Sequence, residues 1–133
     1  MQYYMVDSQI VKNWVDKADN DLAFAKASLQ DGLEFYPQIC FYLHQSIEKY
    51  LKAYIIARGL NFKRIHDLME LVEICAEDDQ EFNKFNETVK LLNPFYIGTR
   101  YPDFIITINK SDAEKALWVA EEIANSIKSK LSI

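Results

Sequence analysis

Leu43-His44-Gln45-Ser46-Ile47-Glu48-Lys49-Tyr50-Leu51-Lys52-Ala53 lies near the middle of a chain of 133 residues. Each residue of an α-helix turns about 100°, so Leu43, Ile47, Tyr50 and Tyr54 fall on one face. Ile39 carries that stripe back toward Pro37, and Cys40, Leu51 and Ile55 widen it. A stripe this broad implies burial on more than one side, which makes this the central helix of an all-α bundle. Among these apolar residues stand His44, at the edge of the stripe, Glu48 beyond it and Lys52 on the far side with Gln45 and Phe41. Charges among aliphatic and aromatic side chains need a reason. Either they hold helices in register, or they line a pocket that handles a charged partner.

Working outward, five helices account for nearly the whole chain. The first is predicted from about Ser8, a candidate cap, to Gln30, with Asp31-Gly32 as its stop. Ile10, Trp14, Ala18, Leu22, Ala25 and Leu29 recur along it at helical spacing. The central helix opens at Pro37, runs to about Arg58 and ends at Gly59. A short third helix turns Leu68, Leu71, Val72 and Cys75 inward and leaves through a solvated acidic exit, Glu77-Asp78-Asp79. The fourth is expected from about Gln80 to Ile97 through Phe82, Phe85, Val89, Leu92 and Tyr96, with a kink or early end near Asn93 before Pro94. The fifth reads as a capping box, Ser111 as cap and Glu114 reaching back. Its seam of Ala113, Ala116, Leu117, Ala120, Ala124, Ile127 and Leu131 permits close packing, within the bundle or across a dimer. By composition 103–109 resembles a strand, but no second strand exists to pair with it, so it reads as an extended connection on the bundle. The whole, 1–133, is expected to form a single helical domain.

The bulk properties narrow the function. Half the residues are apolar and only three are Gly and three Pro, which favours a packed core over disorder. A net charge of −5 opposes indiscriminate binding to nucleic acid, which needs a basic surface, yet leaves room for a small basic site. Cys40 and Cys75 are too few for a disulfide framework and read as buried thiols of a reducing cell. Met1 to Ser8 carries Asp7 and no signal pattern, and no run of about 18 apolar residues occurs, so a cytoplasmic protein without a membrane span is expected.

Phosphate-cradling glycine loops, dinucleotide fingerprints and zinc spacings are absent, and no cofactor is implied. His44 and Glu48 lie four apart, but two ligands make no metal cage, so no metal is assigned. Glu48 and Lys52 are spaced for an ion pair worth about 0.2–0.5 kcal/mol if exposed. As a solvated face this cluster would be ordinary. The surrounding Phe41, Tyr42, Tyr50 and Tyr54 argue instead for a cleft with stacking surfaces and a few charges. His66 or Asp67 caps the third helix. Arg100, in the turn Gly98-Thr99-Arg100-Tyr101-Pro102-Asp103, offers a planar fork, either for Glu48 or Asp103 or for a phosphate.

Taken in order, Trp14, Ala18, Asp21-Leu22 and Ala25, then Gln45, Glu48-Lys49 and Leu51-Lys52-Ala53, then His66-Asp67-Leu68 and Leu71, then Arg100-Tyr101-Pro102, resemble a HEPN domain along nearly the whole chain. The resemblance implies an up-and-down bundle of about five helices, commonly a homodimer. Many HEPN proteins are metal-independent ribonucleases that use an Arg followed by His after four to six intervening residues. Here Arg58 precedes His66 by seven intervening residues and Arg64 precedes it by one, and no His follows Arg100. The small stand-alone members with His-Asp-Leu and Arg-Tyr-Pro are often encoded beside a minimal nucleotidyltransferase.

Three functions follow as expectations. The first is a non-catalytic module, possessing no catalytic residue of its own, that binds a nucleotide-like ligand through His44, Glu48, Lys52, His66, Arg100 and Tyr101 and partners a nucleotidyltransferase, in a pair of toxin–antitoxin type. The second is a divergent ribonuclease toxin acting on RNA, with His66 as acid–base and Arg100 as phosphate clamp. The third is a helical interaction protein whose charges only pin the helices together.

Overall fold

The computed structural model of the protein describes residues 8–61, 67–92 and 107–133. Among the described residues it is an all-α bundle: α1 (Ser8–Gln30), α2 (Tyr36–Ala57), α3 (Leu68–Asp78), a 3₁₀ turn (Gln80–Phe85), α4 (Asn86–Lys90) and α5 (Lys110–Leu131). No strand occurs among them, and none of their helices is long and apolar enough to cross a membrane. Ser46 meets Ala18, Tyr50 meets Asp19 and Lys52 meets Trp14, so α1 and α2 run antiparallel. Lys26 meets Glu121 and Lys128 meets Asp19, so α5 is antiparallel to α1 and lies along α2 in the same direction.

The central position of α2 is confirmed. Leu43, Ile47, Tyr50, Leu51, Ala53 and Tyr54 are fully buried, and α2 packs against α1, α3 and α5. Burying each large side chain is worth about 1.5–3 kcal/mol, so this helix carries much of the core's stabilisation. Pro37 sits in its first turn, and Gly59, just past its end, takes φ +66°. Gly32 does the same after α1 at φ +77°, a conformation that costs a residue with a Cβ. The alanine seam of α5 is spent inside the chain: Ala113, Ala116, Ala120 and Ala124 are buried, and α5 packs on α2 and α1. Ile10, the first apolar position in the spacing of α1, is 47% exposed.

Three local expectations are corrected. The cap of α5 is Asn109, not Ser111. Its Oδ1 accepts from the Asp112 N–H at 2.9 Å, and Asp112 Oδ2 accepts from the Asn109 N–H at 3.0 Å. Asn109-x-x-Asp112 and Ser111-x-x-Glu114 share one spacing, and the earlier box adds two residues to the helix. The fourth helix starts as a 3₁₀ turn, because an extended Asp79 breaks the path from α3 and its carboxylate caps the Glu81 N–H at 3.0 Å. Three-residue spacing eclipses side chains in a 3₁₀ helix, which brings Phe82 and Phe85 to the same side, where both are buried. Pro94 and most of 103–109 lie outside the described residues. Finally, the acidic exit of α3 is not simply solvated: Asp78 accepts from the Tyr54 hydroxyl at 2.5 Å, and Asp79 accepts from Lys130 Nζ at 2.6 Å.

Candidate functional site

His44, Glu48 and Lys52 follow one another every four residues, so they form a single ridge along α2. The ridge is not the ordinary solvated face that its polar residues alone would suggest: His44 is 1% exposed, Glu48 4% and Lys52 5%. Lys52 Nζ donates to Glu48 Oε2 at 3.1 Å and stands 5.9 Å from the centre of the Trp14 ring on α1. An exposed pair at this spacing contributes a few tenths of a kcal/mol. A buried pair has both ions stripped of water, a loss that the mutual attraction only partly offsets. Just over two helical turns of α2 therefore commit a buried strip to polar groups where apolar ones would pack at lower cost. Among the described residues, no group of three His, Cys, Asp or Glu side chains converges to hold a metal.

The aromatic cleft expected around this ridge is not assembled from the residues named for it. Tyr50 turns its hydroxyl to Asp19 on α1, and Tyr54 turns its own to Asp78 on α3. Tyr42 is 37% exposed and meets Phe24 edge-on with ring centres 4.8 Å apart. Trp14, four residues before Ala18 on α1, is an aromatic neighbour of the ridge. Asp67, rather than His66, caps α3, its carboxylate accepting from the Met69 N–H at 2.9 Å. His66, Arg100 and Tyr101 lie outside the described residues.

Two polar seams that the local pattern did not reveal flank α2. Toward α1, Ser46 Oγ donates to the Ala18 carbonyl at 2.8 Å, Lys49 Nζ reaches Asp21 at 2.5 Å, and Asp19 accepts from Tyr50 and from Lys128 Nζ at 2.8 Å. Burial and the Asp19 carboxylate hold the Tyr50 phenol well above its ordinary value, so it stays a donor. Toward α3, Lys130 Nζ joins Asp79 and, at 2.9 Å, Glu81, and lies 5.3 Å over the Phe82 ring. Partners in these seams lie 28 or more residues apart, beyond the reach of any helical period.

Comparison with known proteins places this architecture. The model of the HEPN domain matches residues 11–130. A Methanocaldococcus jannaschii protein named "Putative toxin MJ1304" is 28% identical over 131 residues, covering 88% of this chain and 85% of that protein. The crystal structure of TT1696 from Thermus thermophilus superposes with a TM-score of 0.80 at 31% identity, over 90% of this chain and 97% of the other. That of ST0689, an archaeal HEPN homologue, gives a TM-score of 0.72 at 25% identity, over 90% and 96%. With the helical order, the central α2 and the matched residues in agreement, the chain belongs to the HEPN family.

Proposed function

We propose that this HEPN protein binds a nucleotide-like ligand without cleaving RNA, and acts as the substrate-holding partner of a minimal nucleotidyltransferase in a pair of toxin–antitoxin type. The observation that carries this reading is the buried Glu48–Lys52 pair beside Trp14. A buried ion pair is a poor stabiliser compared with apolar packing, so its presence on the family's central helix is accounted for by use. In this reading Lys52 and Glu48 form a polar floor with His44, Arg100 supplies a fork for phosphate, Tyr101 a stacking face and His66 a hydrogen bond. The protein works as a homodimer and leaves catalysis to its partner. The absence of an Arg followed by His at four to six intervening residues supports binding over cleavage.

The toxin name carried by the Methanocaldococcus jannaschii relative favours a second reading, a metal-independent ribonuclease using His66 and Arg100. Titration calorimetry with ATP, AMP and GTP tests the first reading directly. Micromolar to millimolar binding, weakened at least about tenfold in Arg100→Ala, is expected for loss of a charge-assisted phosphate contact. No heat with any nucleotide would remove the ligand from the proposal.

A further inference from the structure

We infer that two copies of this chain meet through the outer face of α1, antiparallel and crossing at Phe24, with each Lys17 paired to the partner's Asp31. Ile10, Lys17, Phe24 and Asp31 recur every seven residues, close to two full turns, so they form one stripe along α1. The Asp31 N–H donates to the Ala27 carbonyl at 2.9 Å, which keeps the stripe helical to its end. Val15, Ala18, Ala25 and Ser28 turn inward, while every residue of the stripe is exposed. Phe24 is 55% exposed beside the exposed Tyr42 of α2, so two rings in edge-on contact share one solvent-facing bed. Covering such apolar surface favours association. The alanine seam of α5, the other face that could join two chains, is already buried inside this one.

The charges select a second copy as the occupant. Lys17 lies seven residues before Phe24 and Asp31 seven after it, about 10.5 Å to either side along the helix. A two-fold axis at Phe24 therefore brings each Lys17 to the other chain's Asp31, and symmetry makes that pair twice. Among the described residues, neither Lys17 nor Asp31 has an opposite charge within ion-pair distance. Asp31 also stands at the negative, C-terminal end of the α1 dipole, whose last turn holds no basic residue, so a cation from outside is favoured there. Lys49 and Asp21, beside the stripe, neutralise each other at 2.5 Å and leave no surplus charge to draw a nucleic acid. Asn20 and Ala27, exposed on either side of Phe24, are small enough to let two helices approach closely. This interface gives the homodimer proposed above a face and needs no ligand, so it stands or falls apart from nucleotide binding.

Sedimentation velocity of the full chain across micromolar concentrations tests it. The unaltered protein should sediment as a dimer. Phe24→Asp should weaken that dimer by at least about thirtyfold, as loss of a central aromatic anchor does, with unchanged helical circular dichroism because Phe24 lies at the surface. Lys17→Glu and Asp31→Lys should each weaken it by at least about tenfold, since like charges then face each other at both contacts. Mixing these two variants should restore a dimer, because both contacts of the mixed pair again join opposite charges. A monomer at every concentration would overturn the interface and the homodimer together. A dimer unaffected by Phe24→Asp would overturn the interface and leave the homodimer to another face. A mixture as dissociated as its two components would overturn the antiparallel pairing.

Discussion

Glu48 and Lys52 stand one turn apart on α2, meet at 3.1 Å and leave only 5% and 6% of their side chains exposed. Removing one partner takes a charge-assisted contact away from a buried charge. Lys52→Ala should therefore cost about 3–5 kcal/mol, read as a lowered urea midpoint. Replacing both, as Glu48→Leu with Lys52→Met, should restore stability to the original level or above it. That double variant should fold and yet lose nucleotide affinity. A double variant as unstable as Lys52→Ala would show the pair to be a structural clamp.

The Lys130 junction makes stability depend on pH at both ends. The Lys130 hydrogen bond, then the Glu81 N–H, holds the Asp79 carboxyl below its ordinary 3.8. Its contribution is present above the ordinary value and is lost as pH falls through the lower, folded one. Burial pulls the Lys130 ammonium down, but Asp79 and Glu81 outweigh it and leave it above 10.5. That contribution is present below 10.5 and is lost as pH rises through the folded value. Lys130→Met should lower the plateau between these limits by about 0.5–1 kcal/mol, discounted for the exposure of its partners, and flatten both limbs. An unchanged acid limb in urea titrations across pH would show the junction to be inert.

The two candidate caps of α5 separate cleanly. Asn109→Ala should cost about 1 kcal/mol, and Ser111→Ala should stay within about 0.5 kcal/mol. The reverse order in thermal melts would mean that the helix starts at the later box.

Burial, aided by the Asp112 charge at Cys40 and the Asp78 charge at Cys75, pushes both thiols up to about 12. At pH 8 both are protonated and enclosed, so a disulfide reagent should label the native protein only as fast as it unfolds. Labelling within seconds would show that one of them opens to solvent.

The sequence made the helices legible because their signals are local. The stripe from Ile39 to Ile55, the Gly32 and Gly59 stops and the alanine seam of α5 each rest on neighbours within a turn or two. The cap of α5 was ambiguous, since two boxes of equal spacing overlap by two residues. The burial of Glu48 and Lys52 was hidden for a different reason: helical angle places them beyond the apolar stripe, and only the surrounding chain decides what covers them. Asp19, Asp21, Asp79 and Lys130 were missed because their partners are distant in sequence. Trp14 was read only as part of the apolar spacing of α1, and its contact with Lys52 follows from the packing of α1 on α2.

RNA incubated with the purified protein in excess chelator, beside His66→Ala and Arg100→Ala, tests the central claim most directly. A binding module leaves the RNA intact in every lane. Cleavage by the unaltered protein that disappears in both variants would contradict the account and make this chain a HEPN ribonuclease.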